Sequence, residues 1–246
     1  MNKRHWWITG AGSGIGRELA RLAVSEGDRV TISGRRRDAL IETADDHAAM
    51  AVQPLDVTDP AAVDAAIDTI ERLTGPIDVA VLNAALYQQM DTPDFDRDVI
   101  RRLHETNVMG VVNCLQPLLL RMQARGSGRI VIVASVAGYR GLPKAAAYGP
   151  TKAALINLAE ALRPSAEAAG ITLQIVNPGF VETPMTAVNR FPMPFLLTPE
   201  KAAARIMAGT HGNRFEIAFP WTFVMLLKLA RLLPYRLYFA LTKRML

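Results

Sequence analysis

Residues 8–16 read Ile8-Thr9-Gly10-Ala11-Gly12-Ser13-Gly14-Ile15-Gly16, and this glycine-rich turn decides the fold. Before it, His5, Trp6, Trp7 and Ile8 form a short, mostly apolar run suited to a buried first strand. After it, Leu19, Ala20, Ala23 and Val24 recur at helical spacing. Strand, glycine turn and helix together present backbone N–H groups and a helix N-terminus to a pyrophosphate. Gly10 and Gly12 permit a tight turn and a close approach to phosphate, and Gly16 lets the helix pack on the strand. A glycine triplet also suits an ordinary strand-to-helix loop, so the rest of the chain has to decide between the two.

Outward from this turn, strand and helix patterns alternate, which calls for a parallel sheet covered on both faces. Residues 29–33 read as a second strand, followed by a polar helix over about 36–47 and a short strand over 50–54. Thr58-Asp59-Pro60 opens a capped helix that runs through Val63, Ile67 and Ile70 to Gly75. Residues 77–83 make a fourth strand, and one long helix is expected from about 98 to 125. Residues 129–134 and 172–177 are strands flanking a helix over 148–169, which Pro164 should kink or locally break. A capped helix opens at Thr198-Pro199-Glu200, and residues 214–219 form a last strand. No internal repeat or low-complexity linker interrupts the 246 residues, so one domain spanning 1–246 is expected.

Composition narrows the function. Half the residues are apolar and 21% are charged, enough to bury a large core. A lone cysteine, Cys114, leaves no internal disulfide and suits a reducing compartment. It reads better as a small apolar helix residue than as a catalytic thiol. His5, His47, His104 and His211 show no metal-ligand spacing, so no metal is expected. The first strand begins almost at once, which leaves no room for a signal peptide, and no run of apolar residues is long enough to span a bilayer. A cytoplasmic protein is expected. The net charge of +5 is uneven: residues 201–246 hold eight Lys/Arg against Glu216 alone, leaving +7 there and −2 in the remainder. No basic, aromatic-interleaved motif points to nucleic acid.

Five motifs, in order over roughly residues 4–185, resemble the classical short-chain dehydrogenase/reductase family. They are Thr9-Gly10 with Gly14-Ile15-Gly16; Leu82-Asn83-Ala84-Ala85; Asn107-Val108-Met109-Gly110; Ser135 with Tyr148-Gly149-Pro150-Thr151-Lys152; and Asn177-Pro178-Gly179 through Thr183. Leu82 and Ala85 depart from the family's Asn-Asn-Ala-Gly, and Ala85 should narrow the pocket floor. The resemblance implies a Rossmann-type doubly wound α/β sheet of about seven parallel strands with helices on both faces. It also implies hydride transfer between a nicotinamide cofactor and a carbonyl compound or secondary alcohol.

The chemistry of the residues agrees. Tyr148 and Lys152 stand four apart on one expected helix face. A free tyrosine titrates near ~10, too high for efficient proton exchange at neutral pH. A neighbouring ammonium and an oxidised nicotinamide should lower that value. Ser135 ends an apolar strand, and ligands of open parallel sheets sit at the strands' carboxyl ends, which would bring Ser135 to Tyr148. By resemblance, Tyr148 is the acid/base, and Ser135 stabilises charge on the substrate oxygen. Lys152 holds the ribose and tunes Tyr148, and Asn107 supports a water relay to Lys152.

The resemblance places cofactor contacts at Thr9, Gly10, Gly12, Ser13, Gly14, Ile15 and Gly16. It adds Gly34, Arg35, Arg36, Asp56, Val57, Asn83, Ala84 and Ala85, then Tyr148, Lys152, Pro178, Gly179, Val181 and Thr183. An acid at the end of the second strand would bind a ribose 2′-hydroxyl and repel a 2′-phosphate. Here Gly34 is followed by Arg35, Arg36 and Arg37, whose guanidinium groups suit a phosphate. NADP(H) is therefore favoured over NAD(H). Arg36 and Arg37 also suit a solvated helix start, so Arg35 carries the reading. Ser13 stands where many NADP-preferring relatives have a second basic residue.

Residues 184–197, with Met185, Phe191, Met193, Phe195, Leu196 and Leu197, fall where relatives place a substrate lid and imply a lipophilic substrate. A homodimer or homotetramer is expected. The tail from about 220 to 246 is apolar with basic residues, and Pro234 interrupts it. Cover for the pocket or a subunit interface is favoured for it over a helix lying in a membrane interface. Two other functions fit less well: a non-catalytic NADP(H)-binding regulator, and a membrane-surface protein working through the tail.

Overall fold

The computed structural model describes residues 3–243. Seven parallel strands form one sheet in the order β3-β2-β1-β4-β5-β6-β7. They are β1 (His5–Thr9), β2 (Arg29–Gly34), β3 (Met50–Pro54), β4 (Val79–Leu82), β5 (Gly128–Val133), β6 (Ile171–Pro178) and β7 (Glu216–Phe219). The order reverses between β1 and β4, and an open parallel sheet leaves its ligand crevice at such a switch point.

Neighbouring strand residues point to opposite faces, and Trp6 and Trp7 show it. Trp7 packs with α3 (Pro60–Thr74), α5 (Gly110–Arg125) and α6 (Tyr148–Ala168), beside Ile77, Leu82, Ile132 and Leu173. Trp6 packs with α1 (Gly14–Ser25), α2 (Arg37–Ala44) and α7 (Pro199–Thr210), beside Ile8, Ile32, Val81 and Ile206. Both indoles are fully buried. Their N–H groups are satisfied by Asp28 at 2.7 Å and Ser33 at 2.9 Å. Truncating either ring would cost about 3–5 kcal/mol. Helices on both faces explain why β1, β4 and β5 read as continuous apolar runs.

The expected helix starts at residues 59 and 198 are present: Asp59 accepts from the Ala62 N–H and Thr198 from the Lys201 N–H. Three expectations are corrected. The polar helix after β2 stops at Ala44 because Asp45 and Asp46 adopt positive φ. The long helix expected over 98–125 is divided: α4 (Arg97–His104) passes through a π turn, Glu105–Met109, before α5. Pro164 does not break α6. Glu160, whose carbonyl loses its partner there, lies on the exposed side of the helix, where water can satisfy it.

Cys114 is buried in α5, and burial pushes its thiol up to about 12, which makes it a poor nucleophile. The tail forms α8 (Trp221–Leu232) and α9 (Tyr235–Thr242). Among the described residues no helix is long and apolar enough to cross a membrane.

Candidate active site

The glycine turn runs from the end of β1 into α1. Gly10 has φ +67°, and a Cβ there would stand 2.8 Å from the Ala84 Cα, so a larger residue would push the two loops apart. A Cβ on Gly16 would meet the Asn83 side chain and the Gly10 carbonyl at 2.7 Å. The N-cap residue of α1, Ser13, makes no side-chain capping bond. The helix start is left to present its N–H groups to the cleft.

Thr9 and Asn83 join this turn to β4. The Thr9 Oγ1 accepts from the N–H groups of Asn83 (3.0 Å) and Ala84 (3.2 Å). The Asn83 Nδ2 donates to the carbonyls of Thr9 and Gly10, at 3.1 and 3.2 Å. Thr9 and Gly16 therefore lie behind the wall of the cleft, where contact with a cofactor is expected from the motif. Their part is to hold the wall.

One open cleft collects the other motif positions. Gly10, Gly12, Ser13, Gly14 and Ile15 line it together with Gly34, Arg35 and Arg36. Asp56, Val57, Asn83, Ala84 and Ala85 follow, then Ser135, Tyr148 and Lys152, and finally Pro178, Gly179, Val181 and Thr183. Arg35 and Arg36 are exposed at the rim, and neither forms an ion pair among the described residues. The glycine cradle and the helix start without a side-chain cap fit the pyrophosphate of a nicotinamide dinucleotide.

Beyond the cradle, Ser135 ends the β5 segment, with its Oγ accepting from the Ala137 N–H at 3.1 Å. The Ser135 hydroxyl donates to the Pro178 carbonyl at 3.4 Å, and Ser135 and Tyr148 line the same cleft. Burial raises the phenol above its ordinary value, and the neighbouring Ser135 hydroxyl offsets part of that rise. The Lys152 Nζ lies 5.5 Å from the Tyr148 ring centroid and donates to the Val133 carbonyl at 2.9 Å. Lys152 is buried, and desolvation lowers its ammonium to about 7. The expected lowering of Tyr148 by Lys152 is therefore not the state of the protein alone, where desolvation dominates both groups.

Asn107 sits in the π turn and does not line the cleft. Its Oδ1 accepts from the Leu86 N–H at 2.6 Å, and its Nδ2 donates to the Leu86 carbonyl (2.9 Å) and the Thr151 hydroxyl (3.1 Å). Every polar atom of this side chain is thus engaged in tying β4's exit loop to α6.

The site also contains residues that no motif marked. The Arg17 guanidinium reaches back from α1 to the Gly12 carbonyl at 2.8 Å and pairs with Glu42 at 2.9 Å. Tyr87 sets its ring edge-on to Tyr148, with centroids 5.0 Å apart, and donates to the Asn189 Oδ1 at 2.9 Å. Gln89 donates to the same oxygen at 2.8 Å. Thr186 donates to the Val181 carbonyl at 2.6 Å and accepts from the Thr183 N–H at 3.0 Å, closing the loop beside the cleft. Asn189 is a polar side chain within the largely apolar run 184–197, and the sequence alone does not mark its partners.

Comparison with known proteins places this geometry in a family. The short chain dehydrogenase family model matches residues 4–192. An oxidoreductase from Myxococcus xanthus is 34% identical over 249 residues, covering 100% of this chain and 98% of its own. The crystal structure of a short-chain dehydrogenase from Streptomyces avermitilis superposes with TM-score 0.81 at 29% identity, over 92% of each chain. An actinorhodin polyketide ketoreductase solved with NADPH is 26% identical, with TM-score 0.79 over 88% of this chain and 95% of its own. The chain belongs to the short-chain dehydrogenase family. It is an NAD(P)-dependent dehydrogenase/reductase built on a Rossmann-type sheet.

Proposed function

We propose that this protein interconverts a lipophilic carbonyl compound and its secondary alcohol, using NADP(H) in preference to NAD(H), with Tyr148 as the acid/base. The observation that carries the reading is that Ser135 and Tyr148 line one cleft at the carboxyl end of β5, with the Nζ of the buried Lys152 5.5 Å from the Tyr148 ring centroid.

The cofactor, when bound, supplies or accepts the hydride; the chain's own groups handle the oxygen. In reduction, Ser135 donates a hydrogen bond to the carbonyl oxygen and stabilises the charge that develops there. Tyr148, kept neutral by burial, gives that oxygen its proton. Lys152 stands close enough to stabilise the resulting phenolate. In the oxidative direction the same phenolate removes the hydroxyl proton. Asn107 acts at one remove, by fixing Leu86 and Thr151 around α6.

Arg35 and Arg36 support the NADP(H) preference, since two exposed guanidinium groups at the cleft rim offer forked bonds to a 2′-phosphate. The NADPH complex of the polyketide ketoreductase supports it by likeness. The lipophilic substrate rests on residues 184–197, read as a lid: Val188, Phe195 and Leu196 are exposed beside the cleft loop, and Phe191 packs on Phe180 at 5.9 Å. A purely regulatory role is disfavoured because Asn107, Ser135, Tyr148 and Lys152 are all present. The test is NADPH oxidation with a panel of ketones and aldehydes of graded hydrophobicity. Activity rising with substrate hydrophobicity supports the reading, and NADPH binding without turnover on any member refutes it.

A further inference from the structure

The tail is turned inside out. In a helix lying on a globular body, the apolar stripe normally faces inward and the polar side outward. In α8, Trp221, Met225, Leu229 and Leu232 recur at helical spacing on the outward side, with Trp221 70% and Leu232 79% exposed. In α9, Tyr235, Leu237, Phe239 and Leu241 are all exposed. Only Phe223 and Val224 of α8, with Tyr238 and Thr242 of α9, are buried.

The inward side is held largely by polar contacts. Arg140 donates to the carbonyls of Ala230, Arg231 and Leu233, closing the C-terminal end of α8. The same guanidinium lies 3.8 Å from the Tyr238 ring centroid and 5.2 Å from that of Tyr235. The Tyr238 hydroxyl donates to the Gly141 carbonyl at 2.5 Å, and Lys228 pairs with Glu216. Glu216 is itself held by Tyr139 at 2.5 Å and Asn177 at 2.8 Å. The body thus fixes the two helices in an orientation that presents their apolar side outward.

Charge selects the occupant of that side. Residues 221–246 hold five Lys/Arg and no Asp/Glu. Lys228 is offset by Glu216, but Arg231, Arg236 and Lys243 are exposed and form no ion pair among the described residues, so two copies paired through this face would bring these like charges together. An anionic lipid surface offers both an apolar interior and the opposite charge, and Trp and Tyr beside basic residues suit its interface. On the inward side, Phe223 stacks on Phe180 at 5.6 Å and meets the exposed Phe195 at 6.0 Å, which sets residues 184–197 beside α8. We propose that α8 and α9 form a monotopic docking surface that lays the protein on an anionic membrane, with residues 184–197 at its edge. This goes beyond the reductase reading and stands or falls separately from it.

The experiment is co-sedimentation of the full chain with phosphatidylcholine vesicles containing phosphatidylglycerol, against pure phosphatidylcholine, in low salt and in about 0.5 M NaCl. The intact protein should bind the anionic vesicles, bind the neutral ones weakly and be released by salt. Leu229→Asp with Leu232→Asp should abolish binding while the melting temperature and NADPH binding are kept. Should that variant fail to fold, Arg236→Gln with Lys243→Gln, both exposed, should weaken anionic binding about thirtyfold. Failure of the folded intact protein to bind anionic vesicles overturns the proposal. So does binding that the charge variant leaves unchanged. A dimer in light scattering that Leu229→Asp with Leu232→Asp splits, without vesicle binding, assigns the face to a second copy and overturns it as well.

Discussion

The Tyr87 ring stands edge-on to Tyr148 at 5.0 Å while its hydroxyl holds Asn189, so one side chain touches both the proposed acid/base and the proposed lid. A neutral hydrogen bond of this kind contributes about 1 kcal/mol. Tyr87→Phe should therefore raise KM about fivefold and leave kcat within about twofold, because the ring that packs on Tyr148 remains. Steady-state kinetics on a hydrophobic ketone would check this. A loss confined to kcat would mean that Tyr87 acts on the proton transfer rather than on the lid.

Arg35→Asp exchanges a phosphate clamp for a ribose acceptor. The ratio of kcat/KM for NADPH over NADH should fall about ten- to hundredfold, the range of a charge-assisted hydrogen bond gained or lost. An unchanged ratio would remove Arg35 as the discriminating residue and shift attention to Arg36.

Lys152 makes a signed prediction about pH. Its folded value lies near 7 and its ordinary value is 10.5, so between these the unfolded chain binds more protons. Stability from this site is present above the ordinary value and is lost as pH falls toward the folded one. Wild type should therefore gain stability relative to Lys152→Met as pH rises from about 7 to about 9.5. Denaturant midpoints of both proteins across that window would show it. A constant difference would mean that Lys152 is not desolvated in the folded protein.

Asn107→Ala leaves the Leu86 backbone groups and the Thr151 hydroxyl without their partner in a buried place. The loss should be about 2–3 kcal/mol, or roughly 5–10 °C in melting temperature for a chain of this size. Asn107→Asp keeps the acceptor for the Leu86 N–H and should recover part of that loss. Equal melting temperatures for wild type and Asn107→Ala would contradict the tie between β4 and α6.

Much of the fold is legible because a doubly covered parallel sheet needs apolar strands, glycine at its first turn and capped helix starts. The runs around Trp7, Val81 and Val131 meet that need. Ser135, Tyr148 and Lys152 converge for the same topological reason, at the carboxyl ends of neighbouring strands. The π turn around Asn107 is not legible, since one extra residue per turn leaves the apolar spacing on either side intact. The Tyr87–Asn189 bond joins residues 102 apart, and no local pattern carries such a pairing. The tail shows a third limit. Periodicity shows that α8 has distinct sides, but Arg140 and Glu216 decide which side meets the body.

The central claim is that Tyr148 moves the proton, and Tyr148→Phe tests it most directly because the ring stays and only the hydroxyl goes. The measurement is single-turnover NADPH oxidation with a hydrophobic ketone, alongside NADPH affinity by fluorescence. Turnover should fall about 10²- to 10⁴-fold, the usual contribution of a positioned general acid, while NADPH affinity stays within about threefold. A correctly folded Tyr148→Phe protein that turns over at the wild-type rate would contradict the account.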